Sequence, residues 1–434
     1  MFPPKCTFSW VMVGYTWHGV LQGNNPTSRF RVYTAPLYAW ITRIPNFASY
    51  FSNDIKQELE GSEGCSCITY WRQTVIIGLV ASPFVEVPPK KYGGTELFIA
   101  NLAVGLTNLG HQVVVYANGE SKVPVEVRSL YSQSLWPLTG DFSETLRDIN
   151  HTAWATRDAA EVCDIVHVNN IHGLPPSRFC RTPFVYTIHH DHNQALSDFY
   201  SYYPEVNFVT ISKFQQRLEE MPSLRTIHHG IDLSLYQFQE KKQQYLSFLG
   251  RIAPFKGTHL AIQVARRCGI PLKIAGEVQP LFQDYFDAEV KPHIDGKFIE
   301  FIGEADLQAK NELLVNSLAL LFPIEWDEPF GLVMIEAMAC GTPVLALPGG
   351  SVSEVVCDGI SGYVCQSLDE MVARARDVQS LIRPRAVREY AKRHFATERM
   401  AAEYLQLYDQ VCETAGPTVF ESTGDSGGPT ATAA

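Results

Sequence analysis

Val75-Ile-Ile-Gly-Leu-Val-Ala81, then residues 95–109, then Val113-Val-Val-Tyr-Ala117: this succession decides how the 434-residue sequence is read. The first run is short and continuously apolar, which suits a strand buried on both faces. The second has the period of an amphipathic helix and stops at Gly110, a residue type favoured just beyond a helix C-terminus. The third is again a short apolar run. Strand, helix and strand at this spacing imply a parallel sheet covered by helices.

Working outward, the alternation continues through expected strands at 165–168, 184–188, 208–211 and 226–228. A second series begins at Tyr245-Leu-Ser-Phe-Leu249 and continues at 272–275, 298–302, 319–322, 344–347 and 362–364. Residues 222–242 separate the two series. The expected fold class is therefore α/β, with two Rossmann-like domains facing across a cleft and a ligand at the carboxyl ends of the strands. The expected division has an N-terminal domain over 73–238 and a C-terminal domain over 239–385. One or two terminal helices over 386–412 could pack back on the N-terminal domain. Residues 1–72 carry Pro, Asn, Ser and Trp without a sustained period and read as an irregular extension. Residues 413–434, rich in Gly, Pro, Ser and Thr, read as a disordered tail.

Composition narrows the class. Hydrophobic content of 46% and charged content of 19% are those of a globular protein. A net charge of -11 argues against a nucleic-acid partner, which needs a basic face, but leaves room for a local basic pocket. The 10 cysteines include no Cys-x-x-Cys pair, which favours reduced thiols in a cytoplasmic protein. No apolar run reaches the roughly 20 residues of a membrane span, so at most peripheral membrane contact is expected. Residues 8–21 lean apolar, but Tyr15, Trp17 and His18 dilute them and no clear cleavage site follows, which weighs against a signal peptide.

The chemistry concentrates in a few loops. In Glu328-Pro-Phe-Gly-Leu-Val-Met-Ile-Glu336, Pro329 suits the first turn of a helix that ends near Gly341 and Pro343. Glu328 would then precede the helix and Glu336 lie near its middle. Eight helical residues advance about 12 Å, so the two carboxylates would hold separated hydroxyls of one extended ligand. The amides of Phe330, Gly331 and Leu332 would form a hydroxyl- or anion-binding end between them. The plainer alternative makes Glu328 a complement to the helix dipole and Glu336 an exposed or paired residue. In Gly250-Arg-Ile-Ala-Pro-Phe-Lys-Gly257, Arg251 and Lys256 can neutralise a departing diphosphate without a metal. Tyr92-Gly-Gly-Thr-Glu96 lets backbone approach a phosphate or acceptor through Gly93 and Gly94, or is an ordinary turn capped by Thr95.

Together these segments resemble retaining glycosyltransferases of family 4, with the GT-B fold and a Glu-x7-Glu signature, over roughly residues 75–410. The resemblance implies that Glu336 holds the nucleotide's ribose, while Glu328 and the Phe330, Gly331 and Leu332 amides hold the donor sugar. It implies that Arg251 and Lys256 bind the diphosphate, and that Gly93 and Gly94 help close the cleft. In Tyr186-Thr-Ile-His-His-Asp-His192 it places His189 beside the transferred sugar, so His189 and Glu328 are the expected catalytic residues. A metal is not expected: neighbouring strand residues point to opposite faces, so His189 and His190 would rarely share an ion, and no Asp-x-Asp occurs. No cofactor is expected either. His229-Gly-Ile-Asp232 departs from the family's Asn-Gly-Ile-Asp at its first residue. Ser351-Val-Ser-Glu354 has the spacing of a capping box.

The expected function is metal-independent, retaining transfer of a hexose from a nucleotide-sugar to an acceptor hydroxyl. UDP-glucose is the first donor expected and GDP-mannose the next. The acceptor stays open among a glycan, a lipid-linked sugar and a small molecule. A nucleotide-sugar epimerase on the same fold is the alternative, and a silent sugar-binding protein a third. Gly424-Asp-Ser-Gly-Gly-Pro429 imitates a serine-protease site but lacks the two β-barrels that would supply its partners.

Overall fold

The computed structural model describes residues 6–13, 16–23, 74–91 and 93–415. Expectations for Tyr92, for the rest of 1–72, and for 416–434 with the protease-like string lie outside the described residues. The chain divides into two compact units, Met1–Arg72 and Gln73–Ala434. In the first, β1 (Cys6–Val13) and β2 (Thr16–Gly23) pair antiparallel, with Val13 opposite Thr16. This hairpin corrects the reading of 1–72 as wholly irregular. Apolar and polar residues do not alternate along it, so the period of 2 gave no signal.

The second unit holds two parallel sheets. The first contains β3 (Ile76–Val80), β4 (Gln112–Tyr116), β5 (Glu126–Arg128), β6 (Ile165–Val168), β7 (Phe184–Ile188), β8 (Asn207–Thr210) and β9 (Leu224–Thr226). Their order is β5-β4-β3-β6-β7-β8-β9. The second contains β10 (Leu246–Leu249), β11 (Leu272–Ala275), β12 (Ile299–Gly303), β13 (Leu320–Phe322), β14 (Val344–Ala346) and β15 (Gly362–Val364), in the order β12-β11-β10-β13-β14-β15. In each sheet the strand order reverses beside the first strand, the topological switch point where such folds bind ligands. The inner strands are the ones their apolar runs announced. The edges differ: β5 was not expected, and β9 ends at Thr226 instead of starting there, which leaves His228 and His229 in the connection.

The principal helices are α1 (Gly94–Asn108), α2 (Phe142–Val162), α3 (Thr258–Cys268), α4 (Leu307–Asn316), α5 (Leu332–Ala339), α6 (Leu368–Leu381), α7 (Pro384–Phe395) and α8 (Thr397–Ala415). Of the terminal pair, α7 packs on α5 in the C-terminal domain, and α8 packs on α1 in the N-terminal domain. α8 extends to Ala415, so 413–415 are helical and not part of a disordered tail. Tyr404, Leu405 and Tyr408 of α8 are buried with Phe98, Leu102 and Leu106 of α1 in one core. Gly105 permits the crossing. A Cβ there would meet Ala401 Cβ at 2.7 Å, so close helix approach outweighs glycine's low helix propensity.

α1 starts at Gly94 with Gly93 as its N-cap (φ 145°), and no side chain caps it, so Thr95 is not the cap. Glu96 in its first turn is buried and accepts a hydrogen bond from Ser82 Oγ at 3.2 Å. Burial pushes its carboxyl up from 4.5 to about 7. Between those values the folded chain binds more protons than the unfolded one. Stability therefore falls as pH rises from about 4.5 to 7, by up to about 3 kcal/mol, and then levels. Glu96→Gln is expected to melt above the wild type at pH 8 and close to it at pH 4.5. Thermal denaturation at the two pH values checks this, and a gap equal at both would contradict it.

Candidate functional site

A cavity of about 610 Å³ lies where the carboxyl ends of the two sheets meet, and all ten site residues expected from the sequence line it. Gly93 and Gly94 enter from the β3–α1 connection, His189 from the end of β7, and His229 from beyond β9. Arg251 and Lys256 follow β10, and Glu328 through Glu336 follow β13. Convergence at strand carboxyl ends explains why residues so distant in sequence share one chamber.

The Glu328 turn is built differently from the sequence expectation. α5 begins at Leu332 with Gly331 (φ 83°) as N-cap, so Pro329 lies in the loop and not in the first helical turn. The 12 Å helical rise between Glu328 and Glu336 therefore does not apply. Gly331 fits because left-handed backbone suits glycine, and a Cβ there would lie 2.5 Å from Met334 Cε. A second loop supports the turn from below. Ser351 N donates to Glu328 O at 2.9 Å, and Ser351 Oγ donates to Phe330 O at 2.9 Å. This is the role Ser351 plays in place of a capping box, since it makes no side-chain cap bond.

Glu354, the other half of that expected box, reaches the opposite domain. Its carboxylate accepts from the Lys213 and Phe214 amides at 2.7 and 2.5 Å and bonds His228 Nε2 at 3.0 Å. Burial alone would raise this carboxyl, but the bonds from His228 and the two amides outweigh it and hold it below its usual range. Across the rim, Lys91 pairs with Glu304 at 3.1 Å and Trp136 Nε1 donates to Glu277 at 3.3 Å. Exposed contacts of this kind are weak and can open for a ligand to enter.

Within the cavity, Lys256 Nζ lies 2.5 Å from Glu328 Oε2 and 4.3 Å from the Trp326 ring centre. Trp326 Nε1 also donates to Glu328 Oε2, at 3.0 Å. Burial draws the Lys256 ammonium below the usual lysine value, with Glu328 opposing the shift. The basic turn can sit this close because Gly257 (φ 73°) has no side chain: a Cβ there would fall 1.9 Å from Pro323 O. At Glu336, 2% exposed, Oε1 accepts from Tyr236 OH at 2.9 Å and from Lys310 Nζ at 2.6 Å. Both carboxylates are thus ionically held, one by a lysine of the β10 turn and one by a lysine of α4.

His189 Nε2 bonds Asn169 Oδ1 at 3.0 Å, and the His189 ring stacks on His229, with centroids 5.5 Å apart and planes inclined by 12°. Burial, reinforced by His229, His167 and His190, holds His189 well below its usual pKa. Burial, then the Arg399 charge, lowers His229 to about 3. Both rings are therefore neutral hydrogen-bonding groups at ordinary pH. His190 also lines the cavity and bonds Tyr200 OH at 2.5 Å and the Asp191 carbonyl at 2.7 Å. Among the described residues no group of three or more His, Cys, Asp or Glu side chains could hold a metal ion, and no helix is long and apolar enough to cross a membrane.

Sequence motifs missed Tyr236, Lys310 and Trp326. Trp326 stands two residues before Glu328, so its neighbourhood was a usable signal. Lys310 carried none: only the packing of α4 on α5 brings it to Glu336.

Residues 236–394 match the family model for glycosyl transferases group 1, and residues 92–235 that for glycosyltransferase family 4. The chain is 29% identical over 205 residues to the glycogen synthase of Mycobacterium tuberculosis, covering 43% of this chain and 49% of that protein. It thus spans about half the length of that relative. An uncharacterized glycosyltransferase of Methanocaldococcus jannaschii is 25% identical over 337 residues, covering 64% of this chain and 82% of its own length. Among solved structures, AviGT4, a glycosyltransferase of avilamycin A biosynthesis, superposes with a TM-score of 0.60 at 26% identity, covering 78% of this chain and 98% of that one. HepE of Anabaena, solved with UDP and glucose, superposes at 0.61 with 18% identity, covering 77% of this chain and 100% of that one, and speaks for the fold alone. The fold is GT-B.

Proposed function

From residues 92–235 and 236–394, each matched by a glycosyltransferase family model, on a GT-B fold, we propose that the chain moves a hexose from a nucleoside-diphosphate sugar to an acceptor hydroxyl. The observation that carries this reading is one cavity lined by two buried charge clusters. Lys256 holds the Glu328 carboxylate in one, with Arg251 in the same lining, and Lys310 and Tyr236 hold the Glu336 carboxylate in the other. In this reading the nucleotide sits at the Glu336 cluster, whose carboxylate accepts from ribose hydroxyls. The diphosphate then lies along Arg251 and Lys256, and the hexose beneath the Phe330, Gly331 and Leu332 amides.

When the sugar–oxygen bond breaks, charge grows on the diphosphate, and the two cations, Arg251 and Lys256, stabilise it. The acceptor enters from the side of Gly93, Gly94 and His189. His189 is neutral, so it orients hydroxyls and does not supply a proton from an imidazolium. The diphosphate oxygen that leaves the sugar can take the acceptor's proton on the same face, which gives retention. UDP-glucose is the first donor to offer and GDP-mannose the second, and no divalent ion is required in this scheme.

The test is turnover of labelled UDP-glucose and GDP-mannose with EDTA present. Free nucleoside diphosphate accompanied by an α-linked product, or by free hexose when acceptor is withheld, supports the reading. Isomerised nucleotide-sugar without release would establish the epimerase instead. Tight nucleotide binding with no turnover of any nucleotide-sugar donor or acceptor would establish the silent sugar-binding protein instead.

A further inference from the structure

We propose that α2 is a self-association surface, on which the same helix of a second copy of this chain lies antiparallel. The proposal is independent of the donor reading. The helix is turned inside out. Its buried residues are Glu144, His151, Thr152, Ala155, Thr156 and Ala159, all small or polar. Large apolar residues face outward instead: Phe142 is 71% exposed, Leu146 52% and Ile149 44%. Specific contacts hold this orientation. The Glu144 carboxylate accepts from the Thr139 and Gly140 amides at 2.8 and 2.9 Å, and Asp148 bonds His172 Nδ1 at 2.8 Å. The Arg147 guanidinium lies 4.3 Å from the Tyr131 ring centre. Rotating the stripe inward would break all of these. An apolar face fixed towards solvent marks a surface that a partner covers.

The stripe itself selects a second copy. Phe142, Leu146, Ile149 and the exposed Ala153 recur at intervals of 4, 3 and 4 residues, the spacing that packs against another helix. The stripe is also self-complementary about a twofold axis. Place two copies antiparallel with Leu146 level with the partner's Ile149, and symmetry supplies the converse contact. Phe142 then falls level with the partner's Ala153, a large side chain against a small one. Helical side chains lean towards their own N-terminus, so Arg157, 84% exposed, reaches the partner's Asp141 in the same register. A lipid surface matches less well. Helices that lie on bilayers carry lysine and arginine along their polar face, whereas the exposed charges of α2 and its cap are Asp141, Arg157 and Glu161.

Sedimentation velocity of the full chain across micromolar concentrations tests this, and the wild type is expected to dimerise. Leu146→Glu should weaken the dimer by at least about tenfold, and Arg157→Glu by about fivefold, through repulsion from the partner's Asp141. Leu281→Glu, on a leucine of the C-terminal domain that is 82% exposed, should leave the dimer unchanged. Circular dichroism is expected to show all three folded, because each alters an exposed side chain. Should Leu146→Glu unfold, Arg157→Glu decides alone. A monomeric wild type, a dimer that neither α2 substitution weakens, or equal weakening by Leu281→Glu would overturn the proposal. So would a monomeric wild type that floats with phosphatidylcholine vesicles while Leu146→Glu does not, an outcome that assigns the stripe to a lipid surface.

Discussion

Lys256→Ala is expected to lower transfer by at least about 100-fold while the chain still folds. In the free protein Lys256 meets the Glu328 carboxylate at 2.5 Å, the face of Trp326 at 4.3 Å and, more distantly, the Phe255 ring at 6.0 Å. In the proposed reaction it gains a further partner, the leaving diphosphate, and that interaction strengthens as charge develops there. An interaction that grows towards the transition state acts on kcat as well as on KM. The substitution also strands Glu328, which is 7% exposed and would keep only Trp326 Nε1 as a side-chain partner. Removing one member of a buried ion pair destabilises by more than the pair itself contributes.

A drop in melting temperature is therefore expected alongside the loss of activity, and a second variant separates the two. Lys256→Met combined with Glu328→Gln removes both charges, so it should recover the melting temperature without recovering transfer. Lys256→Arg keeps a cation that can stack on the indole and reach a phosphate, but its larger planar group does not fit the place of the ammonium against Glu328, so only partial recovery is expected. Activity in Lys256→Ala within tenfold of the wild type would remove this residue from the diphosphate site.

The outcome also bears on what the sequence made legible. Inner strands such as Val113-Val-Val-Tyr announced themselves because both faces are buried, and a continuous apolar run follows from that requirement. Edge strands did not. Glu126–Arg128 is only partly buried and has no such requirement to display. The basic turn and the glycine loop could be placed at the cavity because each is a single strand–turn–helix connection whose residues line it close to where they stand in sequence.

Features that depend on a distant partner misled the reading. Pro329 satisfies the preference for proline in a first helical turn, yet the chain delays α5 until Gly331 has turned it, because the Ser351 loop holds the preceding carbonyls. Ser351 and Glu354 have capping-box spacing, but Glu354 finds two backbone amides on the opposite domain. Lys310 and Tyr236 meet Glu336 only after α4 and the interdomain connection have packed on α5. Local pattern reveals which loops line the cavity; the charges that pair with them depend on tertiary packing.

Glu336→Gln is the sharper test of the nucleotide end, and a loss of about 100-fold or more in nucleotide affinity is expected from it. Glutamine preserves shape, so no cavity opens; what disappears is the negative charge. Lys310, whose side chain is 15% exposed, then faces a neutral amide at 2.6 Å, and Tyr236 OH keeps an oxygen to donate to only if the amide is turned towards it. An amide nitrogen turned towards the ribose presents a donor where two hydroxyls seek an acceptor. A direct loss at the nucleotide and an indirect loss through Lys310 are thus both expected, and they separate on a second substitution. Adding Lys310→Met should restore the melting temperature, because the unpaired ammonium is gone, but not the affinity, because the acceptor is still missing. Tyr236→Phe removes a single neutral donor and should cost only about tenfold. Calorimetric titration with the free nucleoside diphosphate measures all four proteins. If Glu336→Gln binds as tightly as the wild type, this carboxylate serves α4 packing alone, and the nucleotide must lie elsewhere in the cavity.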